Sequence, residues 1–303
     1  MSKESIYSNS YILMGVLLIF WGSFAAVSKL LLAGLDSFQV LFFIFGIAAV
    51  IMTIMFIASG KSKLLVEVTL KDYLKLAVIA VPQFLYYSLY TLSLRLIPAV
   101  EASMINYLFP VFIILLALPI NNEKLTPSVV ISTFTGFFGV VIIITGGRLD
   151  VFKISSAGGG FLALGAAISW ALFSNLGKRN SVDSYVSNYV YTIVCFILSC
   201  ISLFLFSNYR TPGMVSLAGC IWLGISNILS TYFIWLKVLK QSSSSAAANL
   251  SFFTPFITLL FIGLLTKERI TPMHILGVLV IFSSTIILNH QKISGLLKNQ
   301  TVH

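Results

Sequence analysis

The chain has 303 residues, 58% of them hydrophobic and 9% charged, with a mean hydropathy of +1.00. A soluble domain carries roughly 25% charged residues to solvate its surface, so this composition excludes one, and the hydrocarbon core of a bilayer is the solvent that suits the chain. The net charge of +10 sits in short breaks and at helix ends rather than along a stripe; this argues against a nucleic-acid partner and fits anionic headgroups and the positive-inside bias.

A polar opening, MSKESIYSNS, precedes the first apolar run, Tyr11–Ala33. It reads as a permanent span rather than a cleaved signal, because equally long runs follow it. These are Phe38–Ala58, Tyr73–Leu94, Ala99–Ile120, Pro127–Thr145, Gly159–Leu176, Ser184–Ser207, Met214–Lys237, Ser245–Thr266 and Pro272–Asn289. Each is close to the 20 or so residues that cross a bilayer. Their continuity, without short alternating stretches, points to helices rather than a barrel. The breaks between them, such as NNEKLT, GKRNSVD and TKERIT, leave no room for a soluble domain. With a cytoplasmic N-terminus, Lys29, Arg95, Arg148, Lys153, Arg210, Lys267 and Arg269 face outside and every other Lys and Arg faces inside. That excess of inside cations favours both termini in the cytoplasm of a multi-pass cell-membrane protein.

The chain also resembles itself. Asn106 to Pro127, NYLFPVFIILLALPINNEKLTP, aligns without a gap on Ser251 to Pro272, SFFTPFITLLFIGLLTKERITP. The shift of 145 positions pairs Pro110 with Pro255, Glu123 with Glu268, Tyr87 with Tyr232 and Tyr90 with Trp235. Near the start of each half the shift is 149 and pairs Trp21 with Trp170, Phe24 with Phe173 and Lys29 with Lys178. The expected fold is therefore an all-α integral membrane protein of ten transmembrane helices. It divides into a first five-helix repeat over 11–146, a second over 158–290, and a short cytoplasmic tail over 291–303. Five is odd, so the second unit enters the membrane with the opposite orientation. Inverted repeats of this kind underlie alternating access, with a site near the midplane.

The twin repeats, the size, and an E-[KR]-[LI]-T-P loop before the last helix of each half resemble the EamA family of the drug/metabolite transporter superfamily over nearly the whole chain. The stretches VEASMINYLFP (Val100 to Pro110) and SFFTP (Ser251 to Pro255) are also similar to the aromatic amino acid exporter group of that family. The resemblance implies a central cavity lined by the first, third, fourth, sixth, eighth and ninth helices, with the fifth and tenth peripheral.

Polar and aromatic residues in those spans are the candidate substrate contacts, since polar groups inside a membrane are costly. Trp21, Tyr87, Tyr90, Tyr107, Trp170, Tyr232 and Trp235 offer stacking and cation–π attraction, or else ordinary helix packing. Tyr90 and Trp235 lie nearer helix ends and also fit an interfacial belt. Gln83, Asn106, Ser174, Asn175, Asn227 and Ser251 can bond a substrate's amino or carboxylate group or hold helices together. Pro110 and Pro255 each free a backbone carbonyl one turn earlier, as bending points or as fixed kinks. No Asp or Glu lies near the centre of a span. Glu101, one turn into the fourth, is either a proton acceptor or, preferably, a partner of Arg95. Glu123 reads as an anchor for the next helix.

The expected function is a secondary transporter exporting small amphipathic metabolites, aromatic or neutral amino acids first among them, by alternating access. The alternative is an importer or exchanger of another solute. An intramembrane enzyme needs a nucleophile with its base, a metal cluster or paired carboxylates. None is legible: His274, His290 and His303 lie at or beyond the last span without ligand spacing, and Cys195, Cys200 and Cys220 form no CxxC pair. No cofactor, metal or catalytic residue is expected. A purely structural subunit gains nothing from two exchangeable halves. The partners are a small-molecule substrate and the lipid bilayer, with the oligomeric state open.

Overall fold

The computed structural model describes residues 3–61, 63–147, 155–266 and 271–300. Among the described residues the chain is all helix and turn. In chain order the helices are α1 (Lys3–Leu32), α2 (Ser37–Ala58), the short α3 (Lys63–Glu67), α4 (Leu70–Leu96), α5 (Ala99–Asn106), α6 (Phe109–Asn121) and α7 (Pro127–Thr145). They continue with α8 (Ala157–Arg179), α9 (Ser184–Phe206), α10 (Met214–Leu223), a π-helical turn (Gly224–Leu229), α11 (Ser230–Gln241), α12 (Ser244–Ser251), α13 (Thr254–Thr266) and α14 (Pro272–Gln300).

Nine helical stretches among the described residues are long and apolar enough to cross a membrane. The fourth expected span is bent at Tyr107–Leu108 into α5 and α6, and the ninth is split into α12 and α13, neither of which spans alone. Two boundaries also move. The helix expected to start at Tyr11 begins at Lys3, and α14 runs through the expected tail as far as Gln300. Polar residues extend both helices because nothing in these sequences breaks them.

Local chemistry sets the ends. Asp36 caps α2 with a capping box closed by Gln39, and Asp183 accepts from the first amides of α9. Thr126 caps α7 with Pro127 in the first turn, where a missing N–H costs nothing. Asn122 closes α6 in the left-handed conformation, φ 54°. Outside, large apolar side chains such as Phe134, Phe161 and Phe204 are exposed; in lipid that surface is solvated, not aggregating.

The packing repeats when the two halves are exchanged. α4 packs on α8 as α10 and α11 pack on α1, α6 packs on α8 as α13 packs on α1, and α4 packs on α9 as α10 packs on α2. The pairs α2 with α9 and α7 with α14 are their own counterparts. Small residues permit the last contact. A Cβ on Gly139 would stand 2.8 Å from the Gly277 carbonyl oxygen, and one on Gly277 2.8 Å from that of Gly139. The small-residue face of the fifth span is therefore a contact within the chain, and α7 and α14 lie beside the bundle that holds the cavity.

Candidate functional site

A cavity with about 470 Å³ of empty space, its mouth included, lies among α1, α4, the α5–α6 bend, α8, the π turn and the start of α13. These are the spans that the family resemblance implies. The cavity walls are mostly aromatic. Trp21 stands edge-on to Trp170 at 5.6 Å between ring centroids and to Phe109 at 6.2 Å. Tyr86 lies 4.9 Å from Trp170 and stacks on Tyr90 at 6.1 Å. Phe24, Ala25, Tyr87 and Tyr107 complete the apolar lining, and Asn106, Asn227 and Thr254 supply polar groups. Among the described residues, no Asp, Glu, Lys, Arg or His lines the cavity.

Most polar groups around it are occupied. Trp21 donates through Nε1 to Thr231 Oγ1 at 3.0 Å. The Tyr87 hydroxyl donates to the Asn227 carbonyl at 2.7 Å, and the Tyr90 hydroxyl meets Ser103 Oγ at 3.1 Å. Asn227 Nδ2 donates to the Phe20 carbonyl at 3.2 Å and Ser226 Oγ at 2.9 Å. Asn106 is different. It is 4% exposed, and its Oδ1 is buried without a hydrogen-bond partner. A buried polar atom without a partner calls for an explanation, and here the atom belongs to a cavity wall.

Irregular backbone converges on the same place. α5 ends at Asn106 and α6 restarts at Phe109, with Pro110 in its first turn. In the second half α12 ends at Ser251 and α13 restarts at Thr254, followed by Pro255. Each proline leaves the carbonyl four residues earlier without its helical amide. For Pro255 that carbonyl belongs to Ser251, and the Thr254 hydroxyl donates to it at 2.7 Å. The third helix of each half is disturbed as well: α4 contains Pro82, and Asn227, which aligns with it at the 145-residue shift, sits in the π turn. Non-helical backbone at such depth is tolerated where it lines a cavity, and π turns recur at functional sites.

Of the residues singled out in the sequence, Trp21, Tyr87, Tyr90, Asn106, Tyr107, Trp170 and Asn227 line the cavity. Six do not. Ser174 Oγ donates to the Trp170 carbonyl and accepts from Trp235 Nε1 at 2.9 Å. Asn175 ties helices together: its Nδ2 donates to the Ile113 and Ala171 carbonyls at 3.0 Å, and its Oδ1 accepts from Asn121 at 2.7 Å. Ser251 Oγ bonds back to the Ala248 carbonyl. Gln83 is wholly buried with neither amide atom partnered, and the buried Tyr232 hydroxyl is likewise unpartnered. Trp235 is fully buried and Tyr90 faces the cavity, so neither forms an interfacial belt. Glu101 accepts from the Ser155 amide at 3.0 Å and hydroxyl at 2.8 Å rather than from Arg95. Glu268 lies outside the described residues.

Tyr86, Phe24, Ala25, Phe109 and Thr254 line the cavity although the sequence did not single them out as contacts. For two of them a signal existed. Phe109 and Thr254 align at the 145-residue shift and open the second half-helix of each repeat.

The EamA-like transporter family model matches the chain twice, over residues 9–145 and 157–290. An aromatic amino acid exporter, YddG of Ancylobacter novellus, is 25% identical over 181 residues, covering 59% of this chain and 63% of that protein. An S-adenosylmethionine uptake transporter of Rickettsia conorii is 25% identical over 264 residues, covering 86% of this chain and 85% of that protein. A solved crystal structure superposes with a TM-score of 0.79 at 20% identity, covering 92% of this chain and 96% of its own, a likeness of fold. With the family matched across both halves and many bilayer-length helices around one buried cavity, the chain is a multi-pass membrane protein of the EamA-like transporter family.

Proposed function

We propose that the protein exports small neutral or zwitterionic metabolites with an apolar body, aromatic amino acids first among them, through the cavity around Trp21, Trp170 and Asn106. The observation that carries this reading is a wall of aromatic rings with, among the described residues, no ionisable carboxylate or ammonium and one buried, unpartnered acceptor, Asn106 Oδ1. Rings accept a flat or aliphatic body, and face-on they attract an ammonium group. The free amide oxygen accepts from that same ammonium. Without a fixed charge of its own, the cavity does not offset the desolvation of a strongly charged solute.

The five spans of each repeat are taken to run in opposite senses, so that the halves exchange roles and the cavity opens first to one side and then to the other. The exchange-symmetric packing and the paired breaks at Pro110 and Pro255 support that reading. The prolines are its bending points, and the cell membrane with cytoplasmic termini is its setting. Uptake is the second reading, favoured by the likeness to a transporter named for uptake.

The test uses proteoliposomes and a thermal-shift screen of purified protein against amino acids, since a ligand that binds only the folded state raises Tm. Tryptophan or phenylalanine should stabilise the parent protein, and Trp170→Ala should lose that shift. Stabilisation that survives undiminished in Trp170→Ala would place the site elsewhere. Counterflow of labelled substrate from either side gives the direction.

A further inference from the structure

We propose that Glu123, Lys178 and the amino end of α12 form a lock that closes one end of the transport pathway and must open in each cycle. The proposal rests on the alternating-access reading above and assigns residues to it.

Trp170, Ser174 and Lys178 follow one another at i, i+4, i+8 and so share one face of α8. At 1.5 Å per residue, Lys178 lies about 12 Å along the helix from Trp170. Beyond Trp170 each step of this face is shut. Trp170 forms a wall of the cavity. One turn on, Trp235 donates to Ser174 Oγ at 2.9 Å and fills the space, wholly buried. One further turn on, Lys178 Nζ reaches Glu123 Oε1 at 2.7 Å, the Ser242 carbonyl at 2.9 Å and Ser244 Oγ at 3.2 Å. The Glu123 carboxylate also accepts from the Ser244 amide at 3.0 Å and its hydroxyl at 2.7 Å. The pair is largely withdrawn from solvent, at 17% and 19% side-chain exposure.

The lock crosses between the halves. Glu123 comes from the turn between α6 and α7, whereas Lys178, Ser242 and Ser244 belong to the second repeat. A carboxylate at the start of a helix is stabilised by the exposed amides there, so α12 is held at its first residue by a group from the other repeat. α12 leads straight to the break at Ser251–Thr254 beside the cavity. Releasing Glu123 frees a half-helix that ends at the site.

The repeat supplies the internal control. On α1 the matching face is Trp21, Ala25 and Lys29. There Ala25 lines the cavity and so does Tyr90, the counterpart of Trp235. Lys29 is exposed. Equivalent positions are thus packed shut towards Lys178 and left lining the cavity towards Lys29, as one conformer of an alternating cycle requires.

The test is thiol labelling of Ser174→Cys and, separately, Ala25→Cys, in full-length protein whose native cysteines are changed to alanine. No substrate is added, so the substrate assignment plays no part. Glu123→Gln and Lys178→Met should raise labelling of Ser174→Cys by about tenfold, the scale on which one charge-assisted hydrogen bond shifts a two-state balance. Ala25→Cys should label more slowly in the same proteins. The exchanged pair E123K/K178E should restore protection of Ser174→Cys. Size-exclusion profiles matching the parent identify the folded variants. Unchanged labelling of Ser174→Cys in folded E123Q, or no restoration in the exchanged pair, overturns the lock. Faster labelling at Ser174→Cys with no slowing at Ala25→Cys upholds the lock and counts instead against the exchange of ends.

Discussion

Asn106→Leu separates stability from binding. Leucine carries as many side-chain heavy atoms as asparagine and branches at the same carbon, so the substitution removes polarity without opening a large cavity. In the free protein the buried Oδ1 has no partner, and such an acceptor costs about 1–3 kcal/mol. Leucine relieves that cost. Against this stands the interaction of the Asn106 side chain with the Tyr86 hydroxyl; hydrogen bonds within membranes average about 0.6 kcal/mol. The free variant should therefore be as stable as the parent or more so, with Tm unchanged or higher. Binding should move the other way. A hydrogen bond to a charged group contributes about 1.5–3 kcal/mol, so losing the one to a substrate ammonium should weaken Kd by about 10- to 150-fold. Thermal unfolding without ligand and calorimetric titration with ligand read the two effects separately. Parent-like affinity in the variant would refute the reasoning. So would a loss of more than about 2 kcal/mol of stability, because Asn106 would then be an interhelical tie of greater weight than its contacts give.

Two further outcomes follow from polar groups away from the cavity. Asn175→Leu removes two interhelical hydrogen bonds that join α8 to α6; Tm should fall by several degrees while Kd, measured on the folded fraction, stays at the parent value. Burial raises the Glu123 pKa, but hydrogen bonds from Lys178 and Ser244 outweigh it and hold the carboxyl below its ordinary value. A carboxylate with a lowered folded pKa stabilises the folded state fully above its unfolded pKa of about 4.3, and loses that contribution as pH falls through the folded value. Tm of the parent should therefore drop below about pH 4 more steeply than Tm of E123Q, and parallel acid limbs would show that the pair contributes nothing.

The spans were legible because a bilayer imposes length and apolarity on each segment separately, and those properties survive in a linear reading. Trp21 and Trp170, or Glu123 and Lys178, were conspicuous as members of repeated motifs. What escaped was whatever depends on rotation about a helix axis. Tyr86 lies beside Tyr87 in the sequence, and only packing decides which of the two is wholly buried. Ser174 and Asn175 looked like candidate contacts because they are polar, yet each is consumed by a neighbour, Trp235 and Ile113 respectively. The break after Asn106 was half legible: Pro110 predicts a kink, whereas the turn at Tyr107–Leu108 reflects where the freed backbone finds space. The π turn at Gly224 carries no compositional mark. A Cβ there would stand 2.9 Å from the Ile44 carbonyl oxygen, so the glycine records a close approach of α2 that a sequence alone does not show.

A duplicated chain with identical halves would hold its two end-closed conformers at equal energy. These halves are not identical. Towards Lys178 the closing layer contains a buried Trp235–Ser174 hydrogen bond, while the matching positions towards Lys29 are Tyr90 and Ala25, and alanine has no side-chain group to accept. Closing that second end gains no such bond. At about 0.6 kcal/mol for a membrane hydrogen bond, the difference alone biases the empty protein about threefold towards the Lys178-closed conformer. The bias is small enough for a substrate to reverse, because one ammonium bond to Asn106 that formed better in the opposite conformer would exceed it. A transporter must be able to leave whichever state it rests in. On the alternating-access reading proposed above, this departure of the two repeats from identity sets the resting end, and a bias this small keeps the other end within reach.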